Sequence, residues 1–159
     1  MDMVEKTIEK ILQEPVTAVM TRCPLPVHPE TPIFRVLEQF SHSNHPVIVV
    51  DSDGTLAGVI TSMDIISALT PGGGLGGRHM ISELDRFLKS TAQNARDLMS
   101  DEPLTVPEDA KICDALEAME HGHSSSVILL NEKNIAVGCI ELADIIAYLN
   151  RSLPHSRGL

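Results

Sequence analysis

Two pairs of polar residues in this chain have types and a spacing that suit ligand binding. Thr61 and Asp64 are separated by two residues at the start of a short apolar helix pattern, and Glu141 and Asp144 repeat the spacing in the second half of the chain. A carboxylate can accept hydrogen bonds from two neighbouring hydroxyls of a ligand. A hydroxyl at a helix N-terminus can help to hold a phosphate, because the exposed amides and the helix dipole favour an anion there.

The same spacing also has an explanation that needs no ligand. A Ser or Thr followed three residues later by an acidic residue closely resembles a capping box at the start of a helix. Both explanations stay open for Thr61 and Asp64 when these two residues are considered alone.

The second pair differs from the first because Glu141 occupies the position of Thr61. An ionised carboxylate repels a phosphate and donates no hydrogen bond. Two unit charges about 4 Å apart repel by about 1 kcal/mol in water and by about 4 kcal/mol near a protein surface. We therefore expect the Asp144 site to bind phosphate-bearing ligands poorly.

The elements that position these pairs occur twice, in the order strand, helix, strand, strand, helix. In the first copy they are an extended segment around Val27, a helix from Pro32 to about Ser43 with Thr31 as its N-cap, strands over 46–51 and 56–60, and a helix over 62–69. Self-similarity of this length indicates two copies of one supersecondary unit. The sequence thus predicts an α/β fold of two pseudo-twofold-related β-α-β-β-α repeats, packed as one compact module.

The chain divides into five predicted segments. These are an N-terminal helix within 1–14, repeat 1 over 15–70, a glycine-rich linker with a helix over 80–90 (together 71–94), repeat 2 over 95–150, and a frayed tail over 151–159.

Composition restricts the function further. A formal charge of −10 argues against a nucleic-acid partner, which needs a basic surface. Apolar runs are only as long as strands, so no membrane span is expected. Three scattered cysteines are typical of reduced thiols in the cytoplasm. No metal site or catalytic constellation is predicted, and an enzyme acting on a nucleotide is the least favoured class.

Four motifs in order resemble the cystathionine-β-synthase (CBS) domain. They are Val-Met-Thr at 19–21, Pro-Leu-Pro-Val at 24–27, Pro-Val-Ile-Val-Val-Asp at 46–51 and Gly-Val-Ile-Thr-x-x-Asp-Ile-Ile at 58–66, and the second copy repeats them more loosely. The resemblance implies a tandem CBS pair, or Bateman module. Such pairs commonly dimerise, bind adenine nucleotides or related adenosyl ligands in two clefts between the repeats, and regulate another protein or domain.

The resemblance also assigns the residues of the two clefts. Asp64 falls on the family's ribose aspartate and Thr61 on its Ser/Thr, whereas the other positions surround the adenine and are core or edge residues under the alternative. His45 precedes the strand where the family often has a basic residue, and a packing role is its alternative. The expected contacts are Thr21, Leu25, Pro26, Val27, His45, Pro46, Val47, Thr61 and Asp64, and in the second copy Ser100, Leu104, Thr105, Val106, Ser126, Val127 and Asp144.

The sequence therefore predicts a homodimeric regulatory module without catalytic activity. It senses an adenosine-containing ligand (AMP, ADP, ATP or S-adenosylmethionine), chiefly at the site of Thr61 and Asp64, and signals to an unidentified partner protein. The Asp144 site is expected to bind nucleotides poorly, and to be empty or to prefer an uncharged or cationic adenosyl compound. The alternative is a ligand-free scaffold for dimerisation and interaction, in which Thr61 and Asp64 only cap a helix.

Overall fold

The computed structural model of this chain describes residues 2–22, 25–43, 45–70 and 92–154. The fold is mixed α/β, as predicted. In chain order the elements are α1 (Met3–Leu12), a 3₁₀ turn (Val16–Ala18), β1 (Thr21–Arg22), α2 (Ile33–His42), β2 (Val47–Val50), β3 (Leu56–Ile60), α3 (Ser62–Leu69), α4 (Ala95–Leu98), β4 (Thr105–Pro107), α5 (Ile112–Gly122), β5 (Ser126–Leu130), β6 (Ala136–Glu141) and α6 (Leu142–Ser152).

Two compact units make up the chain. Unit 1 comprises Met1–Arg22 and Leu104–Leu159, and unit 2 comprises Cys23–Pro103. The predicted glycine-rich linker over 71–77 and the predicted helix over 80–90 lie outside the described residues, as does the end of the tail over 155–159. Helix α6 continues to Ser152, so residues 151–152 are helical and do not belong to a frayed tail.

Unit 1 contains a four-stranded sheet in the order β1–β6–β5–β4. Strand β6 is antiparallel to both of its neighbours, and β4 runs parallel to β5. In α5, Ile112, Ala115 and Met119 are buried, which is the spacing of one apolar helix face. The core joins this face to the sheet and to α1 and α6, through Ile11, Val106, Val127, Leu129, Ile140 and Ile145.

Unit 2 has the same order of pairing around the β2–β3 hairpin. The hairpin turn places Gly54 at φ +85°, a left-handed conformation that favours glycine. Val27 pairs in parallel with Val49 on one side, and Ser100 pairs antiparallel with Val59 on the other. Among the described residues, its core contains Val27, Val36, Val47, Val49, Ile60, Ala95 and Leu98.

The first segment of each repeat belongs to the unit that holds the strands of the other repeat. Thr21 pairs with Cys139 in unit 1, and Ser100 pairs with Val59 in unit 2. The expected grouping of Thr21 with the first copy's strands and of Ser100 with the second copy's strands is therefore wrong. The unit boundaries, after Arg22 and after Pro103, fall inside the predicted repeats 15–70 and 95–150.

Helix α2 begins differently from the sequence prediction. Its N-cap is Pro32 rather than Thr31. The Thr31 hydroxyl accepts a hydrogen bond from the backbone N–H of His28 at 3.0 Å, and the Thr31 carbonyl accepts one from the N–H of Ala95 at 2.9 Å. Thr31 thus holds the start of α4, which lies more than sixty residues further along the chain.

None of the helices in the described part of the chain combines the length and the apolar character that are needed to cross a membrane.

Candidate ligand site

The Asp64 site, defined here as Thr61 and Asp64 at the start of α3, is a hydrogen-bonded pair. Oδ2 of Asp64 accepts from the backbone N–H of Thr61 at 2.7 Å and from the Thr61 hydroxyl at 2.8 Å. The Thr61 hydroxyl oxygen accepts in turn from the Asp64 N–H at 3.4 Å. Both residues are partly buried, and Oδ1 of Asp64 makes no hydrogen bond within the described residues. That oxygen is available for the hydroxyls of a ligand.

The hydrogen bond from the N-cap N–H to this carboxylate also occurs at the start of other helices of the chain. The acidic residue at the third helical position accepts from the N-cap N–H in four further helices: Asp2 N to Glu5, Asn94 N to Asp97, Lys111 N to Asp114 and Glu141 N to Asp144. Thr61 and Asp64 therefore do form a capping box at the start of α3. Asp64 differs from the other four by accepting also from a hydroxyl side chain.

The Asp144 site, defined as Glu141 and Asp144 at the start of α6, lacks that hydroxyl. Oδ2 of Asp144 accepts from the Glu141 backbone N–H at 3.0 Å. The next N–H, of Leu142, donates to the carbonyl of Ser125 at 2.8 Å. One amide of the helix start is thus already bonded inside the protein and is not available to an anion.

The Glu141 side chain has a raised pKa. Desolvation by burial, and secondly the negative charge of Asp144, raise the pKa of Glu141 to about 7. The expectation of a fully charged carboxylate at this position therefore needs correction. Near neutral pH, Glu141 is divided between its ionised form, which repels a phosphate, and its protonated form, which can donate a hydrogen bond.

The residues expected to surround an adenine fall into two groups. Val27, Val47, Val106 and Val127 are between 1% and 9% exposed and belong to the cores. Pro46 is also buried. For these residues the structure favours the alternative role of core packing. The remaining predicted contacts are accessible: Thr21, Leu104, Thr105 and Ser126 are partly buried, and Leu25, Pro26 and Ser100 are exposed.

His45 lies at the same end of the hairpin as the Asp64 site. Val47 pairs with Ile60, so the residues before Val47 run alongside Thr61 and the start of α3. The Nδ1 atom of His45 is buried and has no hydrogen-bond partner among the residues that the structure describes. In unit 1, Ser126 pairs directly with Glu141, so the equivalent edge carries a hydroxyl and a carboxyl group.

Two cavities lie away from these sites. In unit 1 a cavity of about 410 Å³ adjoins the β5–β6 turn and includes Thr105 and Val106. It opens at the Leu130 end of β5, opposite to the Glu141 end, and its wall carries Glu108, Asp109 and Glu132. These acidic residues disfavour a nucleotide. In unit 2 a groove of about 220 Å³ is lined by apolar side chains of α2, α3 and residues 92–98.

Within the residues that the structure describes, no three His, Cys, Asp or Glu side chains come together as metal ligands.

The two matched segments of this chain identify its family. The sequence model of the CBS domain matches residues 16–71 and 95–151, which together are more than half of the chain. This protein therefore belongs to the CBS domain family, and its two matched segments make it a tandem CBS pair.

One curated relative resembles part of the chain. KpsF, an arabinose 5-phosphate isomerase of Escherichia coli, is 32% identical over 98 residues, which are 62% of this chain and 25% of the isomerase. The chain thus spans about a quarter of the length of that relative.

Solved CBS pairs share the fold at low sequence identity. CBSX2 in complex with AMP matches with a TM-score of 0.73 and 19% identity, over 87% of this chain and 97% of CBSX2. The CBS pair of MJ0100, in complex with 5′-methylthioadenosine and S-adenosylmethionine, matches with a TM-score of 0.66 and 21% identity, over 84% and 98%. At these identities the likeness establishes the fold, and the ligands are properties of those proteins.

Proposed function

We propose that this protein is a regulatory module that binds an adenosine-containing ligand at the Asp64 site and signals its presence to a partner protein. The observation that carries the proposal is the arrangement of Asp64. Its carboxylate is oriented by two donors of Thr61 on one oxygen, while the other oxygen has no partner within the described residues. A carboxylate held in this way can accept the neighbouring hydroxyls of a ribose.

Two further facts support the proposal. CBS pairs of the same fold are bound to AMP in one case and to 5′-methylthioadenosine and S-adenosylmethionine in another. His45, at the same edge as Asp64, has a buried nitrogen that bonds to no other described residue and that a ligand can satisfy. Binding would act by a shift in conformational population that a partner protein detects. The cytoplasmic location indicated by the cysteines stays a prediction.

A scaffold without a ligand is the second candidate. The observation that favours it is the capping contact that Asp64 shares with Glu5, Asp97, Asp114 and Asp144. Under this alternative Asp64 stabilises α3 and nothing else. The two candidates differ in one measurable property, which is the response of the protein to adenosine compounds.

Thermal unfolding with AMP, ADP, ATP, S-adenosylmethionine and NADH separates the two candidates. A ligand present at a hundred times its dissociation constant stabilises the folded state by about 2.7 kcal/mol. For a chain of this size we expect a rise in Tm of about 5–10 °C with at least one of the first four compounds. Inosine is the control for recognition of the base. No shift with any compound at millimolar concentration would favour the scaffold.

We also propose that the protein is a homodimer, because apolar side chains of the helices that follow each hairpin are exposed. Ile66 and Leu69 of α3 are 49% and 68% exposed, and Ile146 of α6 is 55% exposed. The neighbouring apolar residues of the same helices are not available for such a contact, because Ile145 is buried and Ile65 and Leu149 pack against the cores. Exposed apolar groups of this kind suit a twofold contact with a second copy.

Sedimentation should therefore find a dimer at tens of micromolar, and the double variant Ile66→Asp with Ile146→Asp should be a monomer with an unchanged circular dichroism spectrum. Met3→Asp is the matched control, because Met3 of α1 is 67% exposed and lies outside these helices. A monomeric wild-type protein, or a double variant that stays dimeric, contradicts this proposal.

A further inference from the structure

The Asp64 and Asp144 sites occupy equivalent edges of the two units, but the residue three positions before the aspartate is a hydroxyl donor in one site and a carboxylic acid in the other. At the first edge, Thr61 supplies a hydroxyl, and His45 supplies a buried nitrogen with no hydrogen-bond partner in the described part of the chain. At the second edge, Glu141 replaces the threonine and stands opposite Ser126. A ligand with the same ribose would therefore meet different groups beside its 5′ substituent.

Three observations make the second edge unfavourable for a phosphate. The Leu142 N–H at the helix start is already bonded to the Ser125 carbonyl at 2.8 Å. Glu141 is the N-cap residue of α6 and so stands at the position to which the helix start attracts an anion. Asp144, three residues further along, adds a second carboxylate on the same face.

The groups around Glu141 do not neutralise it. The facing strand β5 presents the uncharged Ser126, and α6 presents Asp144. Helix α1 packs against α6. Glu14, which follows α1, accepts a hydrogen bond from the hydroxyl of Tyr148 at 2.5 Å, and Tyr148 lies about one helical turn after Asp144 on α6. Burial and Asp144 together raise the pKa of Glu141 to about 7.

We propose that Glu141 is the specificity-determining residue of the Asp144 site. It selects adenosyl compounds with an uncharged or cationic 5′ substituent over those with a phosphate, and a phosphate compound enters only together with a proton on Glu141. This inference rests on the proposed function, because it assumes that Asp144 can accept the ribose. It makes the two units complementary: unit 2 takes the nucleotide, and unit 1 takes the adenosyl compound.

The test uses the full chain with Asp64→Ala, which leaves the Asp144 site to be measured by calorimetry. At pH 8 we expect 5′-methylthioadenosine and S-adenosylmethionine to bind at least about tenfold more tightly than AMP, from the repulsion of two charges about 4 Å apart. Adding Glu141→Gln should raise AMP affinity at pH 8 about tenfold and leave 5′-methylthioadenosine unchanged. Glu141→Thr, the residue type of the first repeat, should act in the same way.

Protonation supplies a second readout. Between pH 8 and pH 6 the Asp64→Ala protein should gain about tenfold in AMP affinity beyond any gain of the Glu141→Gln version, which corrects for titration of AMP itself. Without ligand, Glu141 stabilises the fold below about pH 4.5, its ordinary pKa, and this contribution is lost as pH rises through about 7. The Tm of Glu141→Gln relative to wild type should therefore rise from pH 5 to pH 8.

Several results would overturn the inference while leaving the proposed function intact. They are equal binding of AMP and 5′-methylthioadenosine by Asp64→Ala at pH 8, loss of all binding in that variant, or an equal gain for both compounds on Glu141→Gln. A pH-independent difference in Tm would remove the role of the proton. Failure of the wild-type chain to bind any of the three compounds contradicts the proposed function itself.

Discussion

Replacing Asp64 by alanine should weaken the binding of adenine nucleotides to this protein at least a hundredfold. The substitution removes the acceptor of two ribose hydroxyls, and hydrogen bonds to a charged group contribute about 1.5–3 kcal/mol each. Loss of two such bonds exceeds the roughly 2.7 kcal/mol that corresponds to a hundredfold change in Kd. Calorimetry with AMP and ATP measures the effect, and Asp144→Ala should change nucleotide binding much less.

Asp64 also caps α3, so the loss of the cap must be separated from the loss of the ligand contact. Asp114→Ala is the matched control, because Oδ2 of Asp114 accepts from the Lys111 N–H at 2.8 Å in the same geometry. Each substitution should cost about 1 kcal/mol of stability, but only Asp64→Ala should lose the ligand. If both variants bind nucleotide as wild type does, Asp64 is a cap alone and the scaffold is the better description.

Replacing Gly58 by alanine should have the largest effect on stability. A Cβ atom at this position would lie 2.6 Å from the carbonyl oxygen of Ser100 and 2.9 Å from the sulfur of Met99. The Ser100 carbonyl cannot retreat, because it accepts from the Val59 N–H at 3.0 Å. Overpacking of this kind costs about 1–3 kcal/mol, so we expect Tm to fall by about 2–12 °C.

Gly122→Ala is the matched control for this prediction. Its Cβ would lie 2.9 Å from Cδ1 and 3.0 Å from Cδ2 of Leu104, which are the ends of a flexible side chain. Gly122 lies at the end of α5, where alanine is a better helix former than glycine. We expect Tm to change by no more than about 2 °C. Equal melting of Gly58→Ala and wild type would mean that the segment around Ser100 is not held against β3.

Local features of this protein were predictable from its sequence. The β2–β3 hairpin, α3 and the fold class agree with prediction, because apolar β-branched runs, turn residues and helical spacing act over a few residues. The pairing of Thr61 with Asp64 belongs to the same category, since the two residues are three positions apart on one helix start. The replacement of Thr61 by Glu141 at the equivalent position of the second repeat was likewise evident from the sequence.

Distant contacts were not predictable in this way. The two repeats have the same pattern, so Thr21 can pair equally well, judged by sequence, with the return strand of either copy. The structure pairs it with Cys139, where Gly138 allows Met20 and the Thr21 backbone to approach closely. Thr31 is a good N-cap by residue type, but its carbonyl is used by Ala95 and the cap position falls to Pro32.

The chemistry of Glu141 divides in the same manner. Its presence three residues before Asp144 follows from the sequence, and so does the expectation that it disfavours phosphate. Its protonation near neutral pH depends on how much water the fold removes from the carboxyl group and on the fixed distance to Asp144. The sequence by itself therefore determined which groups stand at each helix start, because capping acts over three residues. Only the tertiary structure decided their surroundings and charge. Burial depends on residues that are distant along the chain, and the first segment of each repeat pairs with the strands of the other repeat.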